Sequence, residues 1–319
     1  MDLGICFHRE EPAASVVGRA RQAEALGFDE FWVIEDCFYT TGVTLAAAAL
    51  TATSEIDVGI GIMPVVARNP AITAMEIATL AELAPGRLQA GLGHGVQFWM
   101  EQMSARVASP LTVLEETFTA VRGLLEGEEL TVEGRYVSLD KVALHTPPSV
   151  VPPLLAGVRG PKSMEIAARC GDGVVLADFV GADYVRQVRE QLSAAGGRDD
   201  HRVTVFASVA AAPTEDVAAG IRHEVAYFLA EVAGMAPASL QAVAWWDEFE
   251  ARAGEVGWVE AAQALSPQQW NDISGVGTID GAHAYVESLR DAGADAVCFF
   301  PNPDEPTPDT DGIASWLLA

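Results

Sequence analysis

Glu35 and Asp36 are adjacent carboxylates directly after the apolar run Phe31-Trp-Val-Ile. Neighbouring residues on a strand face opposite sides, so adjacency alone does not make a catalytic dyad. One can cap a following helix. The other can bind or protonate a substrate if burial raises its pKa. Farther along, Gly91-Leu-Gly-His-Gly95 places three glycines directly after another apolar run. Such a turn either needs positive φ or lets a flat ring approach the backbone where no Cβ intervenes. His94 within it is a candidate acid, a hydrogen-bond donor or a plain loop residue, and His8 has the same open roles. In a third stretch, the apolar residues 154–158 run into Arg159-Gly160-Pro161-Lys162. Pro161 suits the first turn of a helix. Open N–H groups at a helix start, with two cations beside them, make an anion seat. The alternative is an ordinary turn with two solvated cations.

Short apolar runs alternating with amphipathic segments must position these residues. Strands are expected at 3–7, 31–35, 58–63, 87–93, 154–158, 173–177, 203–210 and 294–301. Helices are expected at 15–26, near 45–52, and at 70–83, 110–125, 163–170 and 184–194, with a hairpin of 130–132 and 136–139. Eight strands with intervening helices predict an α/β fold, a (β/α)8 TIM barrel. Residues 211–293 separate the last two strands, too many for one crossover. An insertion at approximately 213–280 is therefore expected within a single domain of residues 1–319. It holds Trp245, Trp246, Trp258 and Trp270, which either cap the barrel mouth or pack a core of the insert. Catalytic groups in such barrels lie at the C-terminal strand ends. Those ends are His8-Arg-Glu10, Glu35-Asp36, the segment 59–64, Gly91 to Gly95, Arg159-Gly160 and Asp178.

The chain has 319 residues, half of them hydrophobic, and a formal net charge of −26. That balance excludes a general nucleic-acid surface, which needs clustered Lys and Arg. It also makes anionic membranes poor partners. Cys6, Cys37, Cys170 and Cys298 are far apart, so their spacing gives neither a zinc site nor a disulfide framework. No metal is expected. The N-terminus lacks a basic leader and no apolar run reaches spanning length, so a soluble cytoplasmic protein is expected.

Four segments, in order, carry a resemblance to a known family: Phe31-Trp-Val-Ile-Glu-Asp36, Val58-Gly-Ile-Gly-Ile-Met-Pro64 with Arg68-Asn-Pro70, Arg87-Leu-Gln-Ala-Gly-Leu-Gly-His-Gly95, and Gly157-Val-Arg-Gly-Pro-Lys162 with Cys170-Gly-Asp-Gly173. Over nearly its whole length the chain resembles bacterial luciferase-like oxidoreductases. Within them it looks most like the branch using the deazaflavin coenzyme F420, typified by methylenetetrahydromethanopterin reductase. The resemblance implies hydride transfer between C5 of the deazaflavin and a C=N or activated C=C of a small organic substrate. It implies a non-prolyl cis peptide at Gly61–Ile62, on a bulge behind the ring. It places Gly93, His94 and Gly95 along the cofactor, and Arg159, Gly160 and Pro161 at its phosphate. Asp178 completes the expected cofactor-binding set. Glu35, Asp36 and His94 are the expected catalytic residues, with Glu35 facing the cofactor. The chain departs from close relatives at Val96, where they often carry a carboxylate, and at Asp36, where the sugar-phosphate branch often has His. FMN with oxygen, as in a two-component monooxygenase, is the alternative cofactor reading. A non-catalytic flavin-binding protein is the other alternative. The expected partners are a small-molecule substrate and a second copy of the chain, as a homodimer.

Overall fold

The computed structural model describes residues 1–177, 179–235, 237–300 and Ser315; for Phe300 it describes the backbone alone. Eight parallel strands close into a barrel: β1 (Asp2–Phe7), β2 (Glu30–Ile34), β3 (Asp57–Pro64), β4 (Leu88–Gly93), β5 (Leu154–Gly157), β6 (Gly173–Leu176), β7 (Arg202–Ala212) and β8 (Ala296–Phe300). Each pairs with the next in order, and β8 closes on β1 in the register Gly4 to Cys298. The expected (β/α)8 fold is the one formed. Such strands are covered on both faces, which is why β2 and β4 are buried at every residue.

One core lies between the strands and the outer helices. A smaller one fills the barrel with Cys6, Trp32, Ile34, Leu155, Val175, Phe206, Ala296 and Cys298. A third belongs to the residues between β7 and β8, where Trp246 stacks on Trp258 at 6.0 Å and Trp270 meets Phe179 at 6.4 Å.

Several boundaries differ from the sequence expectation for identifiable reasons. β2 stops at Ile34, so Glu35 leads the loop rather than ending the strand. The following helix begins at Gly42, three residues early, because the Glu35 carboxylate accepts the Gly42 N–H at 2.8 Å. β7 runs on to Ala212 and pairs beyond the barrel with a short parallel strand, Gly275–Thr278. That strand escaped notice because Gly-Val-Gly-Thr is short and lacks alternation. The second hairpin strand is Ser138–Val142 rather than 136–139. The expected end of β8 at Pro301 lies outside the described residues. The helix at Pro70–Leu83 starts and stops where the sequence placed it, since Asn69 caps it and Pro70 opens it. Among the described residues no helix is long and apolar enough to cross a membrane, and no cluster of side chains could hold a metal ion.

Candidate functional site

The C-terminal ends of the strands gather most of the candidate residues. At the end of β3 the Gly61–Ile62 peptide is cis, and the register against β4 shifts between Ile60 and Met63. A second cis bond, which the sequence did not suggest, joins Cys37 to Phe38. Ile62 lies sideways over β4 and β5. A Cβ at Gly93 would come within 2.5 Å of Ile62 Cδ1, and Cβ atoms at Gly91 and Gly157 within 2.7 and 2.9 Å of its Cγ2. The glycines of β4 and β5 therefore form a notch that the protein fills with its own side chain. This differs from the sequence reading, in which a ligand ring meets the Gly91 to Gly93 backbone directly. Gly61 is filled in the same way: a Cβ there would meet the Phe206 ring at 2.6 Å. Phe206 packs edge-on against Trp32 at 5.1 Å. The partly exposed Ile62 thus rests on a bed of glycines, beside the Phe206–Trp32 pair that backs Gly61, and presents an apolar side chain at the mouth. Gly95 has φ +72 and serves the turn, with Met100 and Pro64 against it.

The two strand-two carboxylates are held by arginines. Glu35, half-buried, pairs with Arg68 through one oxygen and accepts the Gly42 N–H through the other. Arg68 continues to Glu76 on the next helix at 3.2 Å. Glu35 is thus a helix cap and ion-pair partner with both oxygens engaged, which argues against its expected role as the acid facing the cofactor. Asp36 pairs with Arg9 at 2.8 Å, and the Arg9 guanidinium lies 4.8 Å above the Tyr39 ring. This pair is about one-quarter to one-third exposed, at 32% and 26%. Arg9 and Arg68 had no assigned role in the sequence reading. The only hint was Arg68 immediately before the Asn-Pro helix start.

On β4, the half-exposed His94 ring sets its Nδ1 3.0 Å from the Gly95 carbonyl, and Val96 beyond it is 50% exposed. On β5, Arg159 is half-buried, and burial pulls its pKa below the usual guanidinium value while leaving it a cation. Its carbonyl accepts the Tyr184 hydroxyl at 2.7 Å, and burial lifts the Tyr184 pKa to about 12. Gly160 caps the helix Pro161–Cys170. The helix start is narrower than expected as an anion seat. Pro161 has no N–H, Ser163 and Met164 donate back to the Gly160 carbonyl, and the Gly160 N–H goes to Ser163 Oγ at 3.2 Å. The Lys162 amide and the two cations are what this turn offers an anion. Asp178 lies outside the described residues.

The composite is an apolar seat on β3 to β5, a cationic turn at one edge and two arginine-held carboxylates at the other. A planar ring with an anionic tail fits it: Ile62 would back the ring, and Arg159 with Lys162 would meet the tail.

Comparison with known proteins identifies the family. A relative from Methanolobus tindarius, a 5,10-methylenetetrahydromethanopterin reductase, is 34% identical over 65% of this chain and 64% of its own length. The match therefore spans just under two thirds of that relative. An F420-dependent hydroxymycolic acid dehydrogenase of Mycobacterium tuberculosis is 28% identical over 94% of this chain and 82% of its own length. The solved coenzyme F420-dependent tetrahydromethanopterin reductase of Methanopyrus kandleri superposes with a TM-score of 0.78 at 20% identity, covering 99% of this chain and 96% of that one. The family model for luciferase-like monooxygenases matches residues 3–296, so the chain belongs to that luciferase-like family.

Proposed function

We propose that the protein is an F420-dependent oxidoreductase that moves a hydride between the reduced deazaflavin and a C=N or activated C=C of a small organic substrate. The observation that carries the reading is Ile62 lying across the Gly91, Gly93 and Gly157 notch, one strand end away from the Arg159-Gly160 turn. When bound, the deazaflavin supplies the two-electron hydride chemistry. This chain's residues do the rest. Gly61 and Ile62 back the ring; Gly93, Gly95 and His94 shape the edge beside it; the Arg159 and Lys162 side chains and the Lys162 amide take the phosphate, on the turn that Gly160 and Pro161 shape. The Arg9–Asp36 pair and His94 face the reacting end. Glu35 keeps the loop and the helix after β2 in place. Two relatives, each 28% identical, are named as F420-dependent dehydrogenases, which supports F420 over FMN.

Titrating the protein with F420 and with FMN, and following quenching of cofactor fluorescence, tests the choice. Tighter binding of F420 is expected; equal or tighter FMN binding overturns it and favours the oxygen-using reading. Absence of hydride turnover with bound F420 across a substrate panel would leave the non-catalytic reading. Arg159→Ala is expected to weaken F420 at least tenfold, since a charged hydrogen bond contributes about 1.5–3 kcal/mol.

A homodimer is part of this reading. Ile72, Met75 and Leu83 leave an apolar stripe on the outside of the helix Pro70–Leu83, exposed by 47, 53 and 50%. Four free thiols suit the reducing cytoplasm.

A further inference from the structure

Two loops flank the end of β3, and both carry exposed aromatic side chains. The loop after β2 is rooted beside Ile62. There the Glu35 N–H donates to the Gly61 carbonyl at 3.2 Å, and a Cβ at Gly42 would come within 2.5 Å of Ile60 Cγ2. Between those roots the chain makes a tight turn, in which the Tyr39 N–H donates to the Asp36 carbonyl at 2.9 Å. Phe38, at the corner of that turn, is 64% exposed, and Tyr39 stands beside it under the Arg9 guanidinium. The loop after β4 is rooted on the other side of β3, where a Cβ at Gly95 would lie 3.1 Å from Pro64. Its short helix, Gln97–Gln102, buries Met100 and leaves Phe98 65% exposed, next to the exposed Val96. Single exposed apolar side chains are ordinary on a protein surface. Apolar side chains on two loops either side of the Ile62 seat mark a ligand-binding rim.

The same rim has little charge to offer an anion. Arg9 is matched by Asp36, and Arg68 by Glu35 and Glu76. Arg159 and Lys162 follow β5, where the cofactor's phosphate is placed. No Lys or Arg occurs after Arg290, and the residues that follow β8 include Asp304, Glu305, Asp309 and Asp311. A carboxylate or phosphate entering between the two loops would lose water without gaining a counter-charge.

We propose that the substrate of this enzyme is uncharged and carries an aryl portion, which rests on Phe38 and Phe98 while the reacting double bond lies over Ile62. This rests on the oxidoreductase reading above and names the substrate class of that site.

Fluorine NMR of two matched probes, on the protein with and without F420, tests it. The probes are para-fluorobenzylideneacetone, an uncharged aryl enone, and para-fluorocinnamate, its anionic counterpart. The enone signal is expected to broaden on the protein, and the cinnamate to bind about tenfold more weakly or worse, for want of a counter-charge. Phe38→Ser combined with Phe98→Ser should weaken the enone about tenfold through lost aromatic contact. Both side chains are exposed, so the double variant should fold, which circular dichroism checks. Cinnamate binding as tight as the enone, no binding of the enone to the F420-loaded protein, or an unchanged enone affinity in the double variant overturns the proposal. Lost self-association in the double variant, with enone affinity unchanged, would give these side chains to a second copy of the chain instead. Should the double variant fail to fold, Phe98→Ser alone and the wild-type preference between the probes still decide it. Failure of the wild type to bind F420 would sink the cofactor reading separately, with the probe affinities still read on the protein alone.

Discussion

Strand β2 has a glutamate at its first residue and another just past its last, and the two meet different surroundings. Glu30, at the bottom of the barrel, is 1% exposed and takes hydrogen bonds from Trp32 Nε1 at 2.8 Å, Gln89 Nε2 at 2.5 Å and the Cys298 thiol at 3.2 Å, besides its pairing with Arg202. Glu35, at the mouth, has one arginine and one backbone N–H. Asp36, one residue farther, has Arg9 as its side-chain partner among the described residues and is partly open to water. Restraint on the carboxylates thus falls from the bottom of the barrel to its rim. The bottom is built to stay shut, and the rim keeps charges that can respond to what arrives.

The largest expected effect breaks the tight end. Glu30→Ala leaves Gln89 and Trp32 without their acceptor and Arg202 with Asp2 as its remaining carboxylate, and each buried donor left unsatisfied costs about 1–3 kcal/mol. Urea unfolding should show that loss; a change below about 1 kcal/mol would mean that the bottom is as loose as the rim. Glu35→Gln comes next. It keeps an oxygen for the Gly42 N–H but removes the charge beside Arg68, and about 1–3 kcal/mol of stability should go. Turnover should fall less than tenfold. A loss of about 10²-fold or more, the usual worth of a positioned acid, would return Glu35 to the chemistry.

Asp57 sharpens the comparison through pH. Burial first, and then Glu30, raise its pKa from 3.8 to about 6. The folded state therefore favours the protonated form. Its contribution is most favourable below the unfolded pKa and is lost as pH rises from about 4 through 6. Asp57→Asn should therefore stabilise the protein at pH 7 by about 1–2 kcal/mol, after discounting for solvent screening, and by almost nothing at pH 4. Thermal melts at both pH values check this; equal gains would show that the carboxyl titrates normally. The smallest effect belongs to the rim: Asp36→Asn should cost less than about 1 kcal/mol in chemical denaturation, as exposed ion pairs do.

The barrel was legible in the sequence because buried parallel strands read as apolar runs and the helix stops are marked. Pro70–Leu83 and Pro110–Leu125 came out to the residue, each opened by proline. The position of the site was legible too, because the barrel rule puts chemistry at one set of strand ends. Roles within it were not. Nothing local to Glu35 shows that Arg68, more than thirty positions later, neutralises it, or that Arg9 crosses to Asp36. Long-range ion pairs convert a candidate acid into a structural group, and they leave no periodicity to read. The glycines misled for a related reason. Gly91 and Gly93 were read as making room for a ligand, whereas the room is for Ile62.

That last contact constrains how this sequence can drift. Positions 91, 93 and 157 each have a side-chain Cβ blocked by the same isoleucine, although they sit on two strands and it sits on a third. Ile62, Gly93 and Gly157 are coupled through that side chain, while Gly91 is held first by the Ile60 carbonyl. Alanine at 93 or 157 presses on the Ile62 side chain, so a smaller residue at 62 would ease those two positions together, whereas at 91 the Ile60 carbonyl, 2.3 Å from a Cβ, stays in the way whatever stands at 62. Descendants that acquire a bulkier cofactor ring or a substrate pressing deeper into the mouth should bear their first substitution at 62, with changes at 93 and 157 following it and glycine kept at 91.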